Sequence, residues 1–101
     1  MVMTSFPNPE TASQIGTQLV KSQLAACVKA IPGATSIYRW KGVVKTESET
    51  IGLIKTTSAQ LEELESWLQD HHPYDEPEII VVDVAAGSAG YLDWVRGQVS
   101  G

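Results

Sequence analysis

Ile79-Ile80-Val81-Val82 is apolar at four consecutive positions, and Ile51-Gly52-Leu53-Ile54 is nearly so. Successive residues of a strand point to opposite faces, so a strand in a sheet with one wet face alternates apolar with polar. Runs without alternation need cover on both faces. A chain of 101 residues can close one face with its own helices. It buries only about two thirds of the surface its unfolded form exposes. The simplest cover for the second face is another copy of the same protein.

The elements around those runs set the fold class. Val2 to Ser5 reads as a short first strand. Asn8, Pro9 and Glu10 then supply an N-cap, a first helical residue and a favourable charge for the helix dipole. Ala12, Ile15, Leu19 and Val20 follow at helical spacing, which predicts a helix to about Ala26. Val28 to Trp40 reads as extended, with a bend at Pro32-Gly33. Lys41-Gly42 and the polar residues to Glu47 read as a turn or irregular hairpin, and Glu49 to Thr56 as the next strand, antiparallel because the connection is short. Thr57-Ser58 with Gln60 resembles a capping box, opening a helix with Leu61, Leu64 and Leu68 on its buried stripe and Trp67 beside it. Pro73 stops that helix, Glu78 to Val84 is a β-branched strand, and Tyr91 to Val99 reads as a short terminal helix. The order is β-α-β-β-α-β plus a helix, the ferredoxin-like α+β arrangement, read as a single domain over residues 1–101.

Composition removes several classes of function. The 43% hydrophobic and 19% charged content is that of a globular chain. The net charge of −5 argues against a nucleic-acid binder, which needs a basic face. No stretch approaches the ~20 apolar residues of a membrane span, and no basic-then-apolar leader opens the chain. Cys27 is the only cysteine, so no internal disulfide can form; a reducing, cytoplasmic setting is expected. One cysteine also cannot make the Cys-x-x-Cys of a ferredoxin-like metallochaperone. Arg39 and Arg96 alone do not supply an acylphosphatase cradle.

The junction His71-His72-Pro73-Tyr74-Asp75-Glu76-Pro77-Glu78 carries more chemistry than a helix-to-strand loop requires. It holds both histidines of the chain. At a helix end, imidazolium is favoured by the dipole, which is a structural role. Imidazole also suits copper and zinc, which is a functional one.

The chain resembles the CutA family of divalent-cation tolerance proteins. The resemblance is carried by Leu24-Ala25-Ala26-Cys27 and by the run from Pro32 through Ser36-Ile37-Tyr38-Arg39-Trp40-Lys41 to Gly42. Glu49, Lys55-Thr56, His72-Pro73-Tyr74, Pro77-Glu78 and Tyr91-Leu92-Asp93-Trp94 complete it, so it covers essentially the whole chain. It implies a ferredoxin-like subunit in a tight homotrimer, and a role in tolerance of copper and other divalent cations. The chain itself is expected to bind copper reversibly and to act without covalent catalysis. The family's trimer is similar in architecture to nitrogen-regulatory P-II proteins, so a trimeric signalling or small-molecule sensor module is the alternative reading. No Gly-rich phosphate loop is present, which weighs against a nucleotide ligand.

Two positions depart from the family pattern. Certain bacterial members carry cysteine just before the threonine of the first strand, where this chain has Met3 before Thr4. Gly52 stands where a bulkier apolar residue is usual, and it marks a close backbone approach. With copper as the implied ion, His71 and His72 are the expected main ligands, and Met3 or a carboxylate (Asp75 or Glu78) a helper. Neighbouring helical residues point ~100° apart, so joint chelation requires the last turn to unwind before Pro73. Cys27 is expected to be a small buried residue without a reactive role. Glu49 and Lys55 lie roughly 20 Å apart along one strand and cannot pair with each other. Groups from another subunit are their expected partners. Tyr38, Trp40 and Trp94 read as packing or interface aromatics.

Overall fold

The computed structural model describes residues 1–99. The elements run β1 (Val2–Phe6), α1 (Pro9–Lys21), β2 (Cys27–Trp40), β3 (Val43–Lys55), α2 (Leu61–His71), β4 (Ile80–Val81) and α3 (Ala89–Gln98). The strands form one antiparallel sheet in the order β2-β3-β1-β4, the ferredoxin-like α+β topology expected from the element order. Val2, Thr4 and Phe6 of β1 point to one face. There they meet Ile54 of β3 and the buried stripes of the two long helices: Ala12, Ile15 and Leu19 from α1, Leu64 and Leu68 from α2.

The start of α1 is as the sequence predicts. The Asn8 side chain accepts a hydrogen bond from the Thr11 N–H at 2.8 Å, and Pro9 follows it. The end is earlier than expected, at Lys21 instead of about Ala26. Gln23 takes a left-handed φ of 63°, and the N–H groups of Leu24 and Ala25 both donate back to the Leu19 carbonyl. The reversal carries Leu24, Ala25 and Ala26 into buried positions that a continued helix would not give all three.

The β2–β3 hairpin is longer than expected. Its loop is only Lys41-Gly42, with φ values of 50° and 78°, the two positive values a type I′ connection demands. Lys45 to Ser48 therefore belong to β3 instead of to an irregular turn. They read as loop because this end of the hairpin extends past the core and is exposed on both faces. The register shifts between Ile31 and Ala34, where Pro32-Gly33 predicted a bend. Ile37, Trp40, Val43 and Val44 are exposed along this arm.

Gly52 is a true close approach. A Cβ there would lie 2.7 Å from Phe6 Cε2 and 3.0 Å from Thr4 Cγ2. The expected strand from Glu78 to Val84 shrinks to Ile80–Val81. The backbones of Met1 and Val82 add two further hydrogen bonds, at 2.9 and 2.8 Å. Ile80, Val81, Val82 and Val84 remain exposed in the single chain. The second sheet face, bearing Met3, Ile51 and Leu53, is only half-buried. At the start of α2, Thr57 makes no side-chain cap bond, so the capping box is not formed as expected; a 3-10 turn over Ser58–Gln60 leads in. The terminal helix begins at Ala89, two residues ahead of expectation.

Candidate metal centre

Pro73 decides how the two histidines are presented. A residue before proline is pushed out of the helical region. His72 accordingly sits at φ −72°, ψ 140°, while its N–H still closes the helix on the Leu68 carbonyl at 2.8 Å. The break sends the two imidazoles to different surroundings.

His72 turns inward. It is 7% exposed, and its ring stacks on Phe6 with centroids 5.3 Å apart and planes at 12°. Nε2 lies 2.7 Å from the Ser5 carbonyl oxygen, and Nδ1 lies 3.1 Å from the Tyr74 nitrogen. A carbonyl only accepts and a backbone N–H only donates. The neutral ring therefore carries its proton on Nε2 and gives its Nδ1 lone pair to Tyr74. Both nitrogens are committed, and none is left for a metal.

Burial holds the His72 pKa below its ordinary 6.5; the Ser5 carbonyl and the Glu49 charge pull upward and offset this only in part. The unfolded chain thus binds more protons than the folded one in the window below 6.5, so stability rises with pH there. This contribution is intact above 6.5 and is lost as pH falls toward the lowered folded value. Urea midpoints of the metal-free protein should drop on acidification from 7.5 to 5.5. A His72→Gln variant, less stable at neutral pH, should show a smaller drop. An equal drop in both would place the acid sensitivity elsewhere.

His71 turns outward. Its Nδ1 lies 2.8 Å from the Trp67 carbonyl one turn earlier, and its ring stacks on the Trp67 indole at 4.0 Å and 11°. The carbonyl takes the Nδ1 proton, so in the neutral ring the Nε2 lone pair is free. A backbone partner of this kind orients a metal-binding imidazole.

Met3 is not brought to either ring. It faces away from Phe6, opposite Leu53 and Ile80, on the other side of the sheet. The three expected ligands do not converge. Among the described residues, no three of His, Cys, Asp and Glu gather in a metal-holding group. Cys27 departs from its expected burial: it is half-buried, opposite Lys55, because its place in β2 turns it to the face away from the helices.

Beneath the histidines lies a contact that the residue types alone do not reveal. The Tyr74 hydroxyl donates to Glu49 Oε2 at 2.9 Å, tying the junction to the root of the hairpin. Burial and this carboxylate push the Tyr74 pKa up to about 12. Tyr38 is raised as well, chiefly by hydrogen bonding to Glu47. Lys55 places its Nζ 5.9 Å from the Tyr91 ring centroid. Glu49 and Lys55, expected to await another subunit, both find partners within the chain. The signal for the first was a tyrosine held between Pro73 and Pro77, two residues after the histidine that fixes the turn.

The family model described as CutA1 divalent ion tolerance protein matches residues 1–98. The chain is 43% identical over 96 residues to a divalent-cation tolerance protein CutA of Thermus thermophilus, covering 95% of this chain and 93% of that one. The solved structure of the Cut A1 divalent cation tolerance protein from the same organism is similar to it at a TM-score of 0.94 and 41% identity, over 98% of this chain and 96% of the other. That of CutA from Xylella fastidiosa is similar at 0.95 and 37%, over 98% and 95%.

Proposed function

The chain belongs to the CutA1 divalent ion tolerance family, and from that premise we propose that it binds copper and related divalent ions at His71 and works as a homotrimer. It acts by holding the ion and not by turning over a substrate. The observation that carries the site is the outward Nε2 of His71, with Nδ1 anchored on Trp67. We assign the imidazole contact to His71 alone, since His72 spends both nitrogens inside the fold and Met3 lies across the sheet. Water completes the coordination around this single imidazole. Copper(II) heads the divalent affinity order for nitrogen donors, so it binds more tightly than zinc.

The trimer is supported by the apolar surface the single chain leaves open. Ile37 is 69% exposed and Val44 61%, and the β4 region adds Ile80, Val81, Val82 and Val84. Burial is worth about 25 cal/mol per Å², so a shared interface of about 2,000 Å² offsets the cost of association. Light scattering should give a trimer at micromolar concentration; a folded monomer there overturns this part.

The metal test uses Trp67 as reporter. Copper(II) on His71 lies next to an indole 4.0 Å from the imidazole, so it should quench Trp67 emission. Trp67→Phe removes that component while calorimetry still detects binding. His71→Ala should weaken copper binding at least tenfold with the trimer intact. Undiminished affinity in His71→Ala would move the site elsewhere.

A further inference from the structure

We infer that Trp67 is the positioning residue of the His71 metal ligand, acting through its indole face as well as its carbonyl. The inference rests on the copper reading and names what holds the imidazole ready for the ion. The two residues are four apart on α2, so their side chains share one face of the helix, a turn apart. Trp67 is half-buried and packs against the core, whereas His71 is exposed. The indole is therefore a fixed platform, and the imidazole is the movable part that rests on it. Neither residue belongs to the apolar strand surface assigned to the trimer.

Two restraints reach the imidazole, and both come from Trp67. The carbonyl holds Nδ1 at 2.8 Å. One hydrogen bond fixes one atom and leaves the ring free to swing about it. The indole removes that freedom, with centroids 4.0 Å apart and planes at 11°. Together they set the position of the ring and its plane, with Nε2 turned outward. A mobile exposed side chain loses rotamer freedom when it takes a ligand, which weakens affinity by about three- to tenfold. Here folding has already removed that freedom. The gain matters most at a site with a single protein donor, where no chelating neighbour helps to hold the ion. A second effect acts in the same sense. Coordination at Nε2 draws electron density out of the imidazole, and the electron-rich face of an indole attracts the more positive ring. The stack is thus tighter with the metal bound than without it.

Calorimetry with copper(II) chloride, at one pH and ionic strength, compares the parent with Trp67→Leu, Trp67→Phe and His71→Ala. Trp67→Leu keeps an apolar side chain and the backbone carbonyl but has no flat face, and it should weaken binding by about fivefold or more. Trp67→Phe restores a ring and should bring affinity back to within about twofold of the parent. Undiminished binding in Trp67→Leu, with loss in His71→Ala, overturns this inference and leaves the copper reading standing. Undiminished binding in His71→Ala overturns the copper reading and this inference with it. A loss in Trp67→Phe as large as that in Trp67→Leu also overturns it, since the aromatic face is then not what holds the ligand. Aromatic NMR of the unaltered, metal-free protein decides the matter even if Trp67→Leu does not fold. The His71 ring protons should be shifted upfield by the indole and show cross-relaxation with it. An imidazole that averages over several rotamers, without that shift, overturns the proposal.

Discussion

Phe6→Ala is expected to destabilise the fold by about 3–5 kcal/mol, the usual cost of removing a fully buried phenyl ring. Phe6 is 0% exposed at the end of a central strand, where its ring packs in the core and stacks on His72. Removing it opens a cavity and lets water reach the imidazole. Two readouts should therefore move together. The urea midpoint falls, and the His72 titration followed by NMR rises toward 6.5, because burial is what chiefly depresses it. A loss under about 1 kcal/mol, well below the range for such truncations, would mean the ring is not the keystone of this corner.

Gly52→Val should cost about 3 kcal/mol or more, above the gain valine brings as a strand former. The first added carbon would sit 2.7 Å from Phe6 Cε2, inside the closest distance real side chains adopt. Gly52 lies between Thr4 of β1 and Ala30 of β2, so the backbone cannot shift without disturbing two ladders. The mechanism makes a further demand. In a Phe6→Leu background, which lacks the clashing atom, Gly52→Ala should be milder than in the parent. Additive losses would show that the glycine is needed for backbone freedom and not for space.

Much of the fold was legible because local chemistry and the core agree. Asn8-Pro9 opens α1, Leu64 and Leu68 define the buried stripe of α2, and Pro32-Gly33 marks the irregularity in β2. The misreadings arise where tertiary packing overrides local preference. Nothing in Lys21 to Ala26 forbids a helix; the burial of Leu24 to Ala26 requires the turn at Gln23. Lys45 to Ser48 look like loop because a strand outside the core need not alternate. The apolar Glu78 to Val84 run reads as a full strand, but β1 meets it only at Ile80 and Val81.

The candidate site was legible as a location and not as a geometry. His71 and His72 are neighbours in sequence, so they invite a shared ion. One break in backbone angle before Pro73 leaves one of them on the surface with Nε2 outward and makes the other a core residue. The link from Tyr74 to Glu49 spans parts of the chain with no local pattern in common. Long-range contacts of that kind are set by the sheet order, which residue types do not encode one by one.

That sheet order has a consequence for how the chain is made. β1 leaves the ribosome before the other three strands of its sheet, and both of its neighbours come later: β3 some forty residues on, β4 nearly eighty. The β2–β3 hairpin, closed by a two-residue turn, can assemble within microseconds of its own synthesis. The centre of the sheet cannot, because Val2 must wait for Val81. At about 5–20 residues per second, β1 spends seconds with an unsatisfied edge during translation. Folding of this sheet during synthesis should thus be limited by the arrival of β4, and a slow codon run just after Val82 would prolong the interval in which a nascent β1 can pair with the wrong chain.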